Sequence, residues 1–152
     1  MSAEDKAKEL GLQLGNAPAP AGSYVPTVQT GNLLFVSGQL PTRPDGTRPV
    51  GKLGDSISVE EGYEAAKLCA IALLNQVQAA LGSLDKVTRV VKVTGFVNST
   101  PDFTQQPQVV NGASELLAAV FGDAGKHARA AVGVASLPAG APVEVEMVVE
   151  VQ

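Results

Sequence analysis

The spacing of hydrophobic residues along the chain predicts two long helices and a set of short strands. Residues 58–81 and 104–121 repeat apolar side chains every three to four positions, as an amphipathic helix does. Residues 143–151 instead alternate between apolar side chains and positions that are mostly glutamate. That alternation indicates a strand with one buried face and one polar face.

Local signals mark where these two helices begin and end. Ser58 and Glu61 have the spacing of a capping box at the start of the first helix. Gly82 and Gly122 directly follow the two helical patterns, where glycine commonly ends a helix. The Gly31-Asn32 pair supplies positive-φ residues for a tight hairpin between two of the strands. Four further strands are predicted from apolar and β-branched runs: residues 24–29, 33–37, 87–97 and 130–135.

The predicted element order is β-β-α-β-α-β-β, which belongs to the α+β class. Each long helix has one apolar face, so we expect both helices to pack on one face of the sheet. The other sheet face is then left without a cover, which a second copy of the chain would supply. The order therefore predicts an α+β domain that forms an oligomer.

The segments outside these elements have a different composition. Residues 3–14 fit a short amphipathic helix with Leu10 and Leu14 on one side. Residues 16–23 are rich in proline and alanine, which ends that helix and is typical of a semi-rigid tether. Residues 39–56 are rich in proline and glycine and predict a long loop, with a short strand near Val50.

Composition and charge narrow the class of protein. The chain has 152 residues, 45% of them hydrophobic and 17% charged, as expected for one globular domain. Its 15 acidic and 11 basic side chains give a net charge of −4, which disfavours nucleic acid as the main partner. No apolar run reaches the roughly 20 residues that span a bilayer, and the charged first residues do not resemble a secretory signal. We therefore expect a cytoplasmic protein with no membrane partner.

Three stretches of the sequence carry a resemblance to a known family. They read GSYVPTV at residues 22–28, GNLLFVSGQLP at 31–41 and ARAAVGVASLPAGAPVEVE at 128–146. The last keeps the spacing from an arginine through Leu-Pro to a glutamate. On these residues the chain resembles the Rid (YjgF) family, also called the endoribonuclease L-PSP family.

This resemblance implies a chorismate-mutase-like (YjgF-type) domain over residues 22–152, after an N-terminal extension over residues 1–21 that shorter members lack. It also implies a homotrimer, with the three sheets around a central barrel and a cleft at each subunit interface. Many members hydrolyse reactive enamines and imines to 2-oxo acids and ammonia. A hydrolase of the 2-iminobutanoate/2-iminopropanoate deaminase type is therefore expected, with a small 2-imino or 2-oxo acid as its partner. Neither a metal nor a cofactor is implied.

Two other functions stay open for such a chain. One is a non-catalytic regulatory protein that binds small carboxylates in the same cleft. The other is the role of translation inhibitor or endoribonuclease that is attributed to some relatives. The acidic net charge and the single histidine argue against the second.

Arg129 and Glu144 are the candidate catalytic residues. Arg129 aligns with the family's substrate-binding arginine, and a planar guanidinium can hold a carboxylate through two hydrogen bonds. Its alternative role is a surface or interface salt bridge with a nearby glutamate. Glu144 aligns with the glutamate that helps to hold the attacking water, a task for which a carboxylate acts as proton acceptor. Its alternative role is that of a solvent-facing strand residue.

Four further positions are predicted to bind substrate. Tyr24 aligns with a family tyrosine whose hydroxyl reaches the neighbouring subunit's cleft, although it could equally be an interface aromatic. Ser37 and Gly38 match a stretch whose backbone approaches the ligand, or else they are small residues at a strand end. Ala131 stands where many members have a cysteine, so only its backbone could contact a water.

Three other residues are weaker candidates. Cys69 lies in an apolar helical stretch and is expected to be a buried, inert thiol. His127 is the sole histidine and is expected in an exposed loop, where it could form neither a triad nor a multi-histidine metal site by itself. The family's asparagine near the start of the second long helix is expected to fall at Pro101, with Asn98 close by.

Overall fold

Five strands form one sheet in the computed structural model, which describes all residues from Met1 to Gln152. The sheet order is β1-β2-β5-β3-β4, and only the pair β3–β4 is parallel. The strands are β1 (Thr27–Thr30), β2 (Leu33–Gln39), β3 (Val87–Asn98), β4 (Ala128–Val134) and β5 (Val143–Val151). The helices are α1 (Ala3–Glu9), α2 (Val59–Leu81) and α3 (Gln106–Phe121). The α+β class and the order of the seven predicted elements are thus confirmed.

The core lies between one face of the sheet and the two long helices. The side chains of β5 that face α2 and α3 are buried, and they are Val143, Val145, Met147, Val149 and Val151. Gly112 lets α3 approach α2 closely, because a Cβ at this position would lie 2.0 Å from the carbonyl oxygen of Tyr63. Both helices therefore cover the same sheet face, as their single apolar faces predict.

The other sheet face has no cover within the chain. Phe35 on β2 and Val132 on β4 are 46% and 43% exposed there, and Val28 on β1 is 53% exposed. The strand register puts Val148 opposite Phe35 and Phe96 opposite Val132, so these apolar side chains share one face. The expectation that further copies of the chain cover this face remains a prediction.

Several predicted boundaries differ from the observed ones for local reasons. The first strand begins at Thr27, not at residue 24, because Pro26 has no N–H to contribute to a ladder. The hairpin turn needs a positive φ at Gly31 alone, with a value of 58°. The predicted strand near Val50 is wrong, since only an isolated bridge at Leu53 forms in this loop. The limits of α2 and β5 agree with the sequence patterns.

The N-terminal segment packs against the rest of the chain. Its helix ends at Glu9 and not at Leu14, Leu10 is 46% exposed, and Ala7 is the residue that reaches the core. The Glu4 carboxylate accepts hydrogen bonds from the Leu84 N–H at 2.9 Å and from the Gln78 side chain at 3.1 Å.

Two amide side chains of α2 hold the segment that was expected to be a tether. The Asn75 side-chain oxygen accepts the backbone N–H of Gly15 at 2.8 Å. The Gln76 side chain donates to the carbonyl oxygen of Pro18 at 2.7 Å. The proline-rich segment is therefore fixed along α2 and leads directly to the candidate site.

No helix in the structure has both the length and the hydropathy needed to cross a membrane.

Candidate functional site

Arg129 is held by three neutral groups of α3. It lies on the edge strand β4, opposite the buried Val93, and its side chain therefore points towards the helices. Its Nη1 donates to Asn111 Oδ1 at 2.8 Å and to Ser114 Oγ at 3.2 Å. Its Nη2 donates to the Pro107 carbonyl oxygen at 3.4 Å. The guanidinium is thus oriented by acceptors that leave its charge uncompensated.

No carboxylate pairs with Arg129 within the chain. The single ion pair of the structure joins Lys126 to Asp123 at 3.2 Å on the surface. The salt bridge that was the alternative role of Arg129 is therefore absent from this chain. A guanidinium has five N–H donors in a planar fork. Because the α3 acceptors occupy only part of that fork, donors remain for an external anion.

Glu144 is the second residue of β5 and faces the uncovered side of the sheet. It is half-buried, and this burial raises the pKa of its carboxyl group, with a further contribution from the negative charge of Glu146. Glu144 forms neither a hydrogen bond nor an ion pair within the chain that would offset this rise. A carboxylate with a raised pKa is a stronger proton acceptor than a solvated one, which suits general-base chemistry.

A small cleft of about 90 Å³ surrounds Glu144. Gly38 and Tyr24 line it, together with Arg48 from the long loop. A Cβ at Gly38 would lie 3.0 Å from the Glu144 carboxyl carbon, so glycine lets the backbone of β2 come close to this group. Part of the remaining wall is the proline-rich segment that α2 holds in place, namely Pro18, Ala19, Pro20 and Ala21.

The side chains of Ser37 and Ala131 make structural contacts outside the Glu144 cleft. The Ser37 hydroxyl donates to the Val25 carbonyl oxygen at 2.8 Å, so it fixes the strand end and does not line the Glu144 cleft. Ala131 lies on β4 opposite Gly95 and packs against the core. Its side chain shares the helix-facing side of β4 with Arg129, two residues away.

Arg129 and Glu144 do not meet within one chain. The register pairs Glu144 with Phe96 and Phe96 with Val132, which is three residues beyond Arg129 on the same strand. The separation is about 10 Å across two strands and about 10 Å along them, and the two side chains point to opposite faces. Glu144, Gly38 and Tyr24 are brought together, whereas Arg129 lies in a different cavity of about 330 Å³.

His127 is half-buried beside Arg129, so the expectation of an exposed loop histidine is wrong. Its Nε2 lies 2.8 Å from Ser114 Oγ, and its Nδ1 lies 2.6 Å from the Gly125 carbonyl oxygen. Burial lowers the pKa of His127, the positive charge of Arg129 lowers it further, and the Gly125 carbonyl opposes both. The histidine is therefore neutral at pH 7.

Asn111 and Ser114 are site residues that the sequence patterns did not single out. The asparagine beside Arg129 is Asn111, and Pro101, where the family's asparagine was expected, lies in the turn after β3. The available signal was Asn111 and Ser114, two polar residues one turn apart within the mostly apolar sequence of α3. That signal identifies a polar patch on a helix, but it does not identify the strand residue that the patch contacts.

Two further observations limit the chemistry of the chain. Cys69 is fully buried and its thiol lies 3.6 Å from the Val143 carbonyl oxygen. Burial raises the pKa of this thiol well above its ordinary value, and the negative charge of Glu144 adds to the effect. The predicted burial of this thiol is therefore confirmed. No cluster of His, Cys, Asp and Glu has the geometry of a metal site.

Comparison with known proteins gives a consistent result. A family model described as "Endoribonuclease L-PSP" matches residues 14–151. Protein TCP17 of Trypanosoma cruzi is 54% identical over 144 residues, which cover 94% of this chain and 90% of that protein. A solved structure of a protein with unknown function from Agrobacterium tumefaciens is 49% identical with a TM-score of 0.88, covering 98% of this chain and 91% of that one. The structure of E. coli TdcF with bound serine is 25% identical with a TM-score of 0.63, covering 90% of this chain and 94% of that one.

Proposed function

The chain belongs to the YjgF/RutC family, whose model is described as endoribonuclease L-PSP, and from that premise we propose that it is a Rid-type deaminase. Its substrates are reactive 2-imino acids, which it hydrolyses to 2-oxo acids and ammonia. The observation that carries the proposal is Arg129, a half-buried guanidinium held by neutral acceptors and left without a carboxylate partner. Such a group is prepared to bind the carboxylate that every 2-imino acid carries.

The complete site lies between two copies of the chain. Arg129 and Glu144 are in separate cavities on opposite sides of the sheet, so one copy cannot bring them to the same small molecule. A homotrimer with clefts at its interfaces resolves this separation, because Arg129 of one subunit can face Glu144 of the next. The uncovered apolar face with Phe35 and Val132 supports such an assembly.

The reaction needs orientation and a proton acceptor more than it needs a nucleophilic side chain. Arg129 fixes the carboxylate, so the carbon of the protonated imine is held in one position. Glu144 accepts a proton from a water as the water oxygen bonds to that carbon, which gives a tetrahedral amino alcohol. Glu144 then returns the proton to the nitrogen. As the C–N bond breaks, the hydroxyl proton passes through Glu144 to the departing ammonia, so that a 2-oxo acid and ammonium leave. One water is consumed for each imine.

A binding function without turnover is the second candidate. It is supported by the serine that is bound in the TdcF structure, because serine is a small carboxylate of similar size to a 2-imino acid. The same Arg129 fork would serve both functions. What separates the two is the release of ammonia.

The test combines calorimetric titration with 2-oxobutyrate and an ammonia assay on a 2-aminoacrylate-generating system. Arg129→Ala removes two charge-assisted hydrogen bonds, each worth about 1.5–3 kcal/mol, so affinity should fall by about two orders of magnitude or more. Arg129→Lys should recover only part of it, because an ammonium is a point charge and not a fork. Arg89→Ala on the adjacent strand is the matched control, since Arg89 makes only a 3.4 Å contact with the Lys126 carbonyl.

Three outcomes decide between the candidates. Ammonia release by the wild type that is lost in Arg129→Ala supports the deaminase. Carboxylate binding without ammonia release supports the binding protein. Equal binding by Arg129→Ala and the wild type would refute the site. An RNA-cleavage assay on the same preparations tests the activity that the family's description names.

A further inference from the structure

Ser114 and His127 form a connected hydrogen-bond unit behind Arg129. Ser114 Oγ lies 2.8 Å from His127 Nε2 and 3.2 Å from Arg129 Nη1. His127 Nδ1 lies 2.6 Å from the carbonyl oxygen of Gly125. The unit joins the middle of α3 to the turn before β4, and it ends at the proposed carboxylate anchor.

The direction of each hydrogen bond follows from the chemistry of the groups. The Gly125 carbonyl can only accept, so His127 Nδ1 carries a hydrogen and donates it. In the neutral imidazole Nε2 is then an acceptor, and it takes the Ser114 hydroxyl hydrogen. The lone pairs of Ser114 Oγ remain for the Nη1–H of Arg129. Each hydrogen bond in this series fixes the orientation of the next group.

We propose that Ser114 and His127 are a positioning pair for Arg129, which fixes its guanidinium for carboxylate binding and couples that binding to the protonation of His127. The proposal deepens the proposed function, because it takes Arg129 as the carboxylate anchor. In this proposal Ser114 and His127 act through Arg129, although both line the same cavity. Their contribution is to hold the fork in one rotamer, so that less conformational freedom is lost when the anion binds.

The coupling to protons follows from the charges around His127. These are Arg129 on β4, Lys126 in the preceding turn and Glu115 on α3, which line the same cavity, and Arg89 on β3, which contacts the Lys126 carbonyl. Arg129 is the charge that acts on His127 through a single hydroxyl. A carboxylate bound to Arg129 offsets that charge and makes protonation of His127 easier. By linkage, the affinity for a carboxylate must then rise as the pH falls through the titration range of His127.

The first experiment needs no ligand. His127 is the only histidine of the chain, so its imidazole resonances in an NMR titration need no further assignment. Arg129→Ala should raise the pKa of His127, because a nearby positive charge is removed. Ser114→Ala should change the Nε2 nitrogen shift, because its hydrogen bond is lost. If the pKa of His127 and its nitrogen chemical shifts are the same in both variants as in the wild type, the pair is overturned.

The second experiment measures 2-oxobutyrate binding between pH 5 and pH 8. Ser114→Ala should weaken binding about tenfold, and Ser114→Thr should restore it because threonine keeps the hydroxyl. His127→Gln keeps an acceptor that does not titrate, so it should bind at pH 8 like the wild type but lose the gain in affinity at low pH. Ser136→Ala, an exposed serine after β4, is the matched control and should change nothing.

The two experiments separate failure of the pair from failure of the proposed function. Absence of 2-oxobutyrate binding by the wild type would refute the proposed function, while the ligand-free titration still decides whether Arg129, Ser114 and His127 are coupled. If Ser114→Ala and His127→Gln both bind 2-oxobutyrate with the affinity of the wild type at every pH, the pair is overturned, while Arg129 can still be the anchor. In turnover assays the pair predicts a rise in KM at nearly constant kcat for Ser114→Ala, as expected for a residue that orients the binding group.

Discussion

At the scale of single residues, the candidate site consists of charges that find no opposite charge within the chain. Arg129 has only neutral acceptors, and Glu144 forms neither an ion pair nor a hydrogen bond that would lower its raised pKa. A half-buried carboxylate without a partner is unfavourable for folding, because burial disfavours the charged form. A group in such surroundings is a candidate for function.

The surroundings of Glu144 predict that replacing it with glutamine, its neutral amide counterpart, stabilises the fold. The pKa of this carboxyl is raised in the folded chain above its ordinary value of 4.5, so folding favours the protonated form. The associated stabilisation is present below the ordinary pKa and is lost as the pH rises through the raised value. Glu144→Gln should therefore melt at a higher temperature than the wild type at pH 7, while its ammonia release falls.

The control for this experiment is Glu150→Gln on the same strand. Glu150 accepts a hydrogen bond from Thr88 Oγ1 at 2.8 Å, so its amide variant should gain no stability. Thermal unfolding of both variants is measured at pH 7 and near pH 3.5, where the advantage of Glu144→Gln should disappear. A Glu144→Gln variant less stable than the wild type at pH 7 would show that the carboxylate has a favourable partner.

At the scale of elements, the sequence predicts best what local contacts decide. The helix α2 has both its capping box and its terminal glycine in the sequence, and the alternation of β5 is sustained over its whole length. The N-terminal segment was predicted poorly, because its position depends on Asn75 and Gln76, which lie about 60 residues further along the chain. Its composition suggests a tether, yet these distant side chains hold it against α2.

Two truncations test this segment separately for stability and for the shape of the site. Removing residues 1–13 deletes α1 with its buried Ala7 and the partly buried Leu12, so the free energy of unfolding should fall by about 2–4 kcal/mol. Removing residues 1–21 also deletes the wall of the Glu144 cleft from Pro18 to Ala21. Only the longer truncation should allow larger 2-oxo acids to bind, as measured by calorimetry with a series of side-chain lengths.

The wild type and an exposed-surface variant such as Lys8→Ala serve as references in urea unfolding. Equal stability of the wild type and the shorter truncation would show that α1 is only loosely attached. Identical ligand preference for the two truncations would show that the proline-rich segment does not shape the cleft.

At the scale of the whole molecule, the site arises from pairings that the sequence alone does not specify. Arg129 reaches Asn111 and Ser114 because α3 is the crossover connection between the parallel strands β3 and β4. The helix lies against β4, the strand that carries Arg129. Gly38 reaches Glu144 because β2 and β5 are neighbours in the sheet, although they are far apart in sequence. The resemblance to a family identified Arg129 and Glu144, but it did not identify the unit formed by Ser114 and His127.

Mixing two inactive variants tests whether each site is shared between neighbouring subunits. Arg129→Ala and Glu144→Gln each remove one half of the proposed site, so each variant alone should release little ammonia. If Arg129 of one subunit faces Glu144 of the next, a mixed trimer contains clefts that receive the intact Arg129 from one variant and the intact Glu144 from the other. Random mixing of equal amounts should then restore about a quarter of the wild-type activity, because each cleft draws its two halves independently.

Co-expression or co-refolding forms the mixed trimers, and light scattering first establishes a mass of three times the 15.5 kDa chain. Double-variant chains mixed with themselves are the control, since they offer no intact half. Restored activity would place Arg129 and Glu144 of one site on different subunits, which is the arrangement that their separation of two strands and opposite faces requires. A monomeric mass, or mixed trimers that stay inactive at every mixing ratio, would contradict the shared site, because a site shared between subunits requires an assembly and must regain activity when the two intact halves meet.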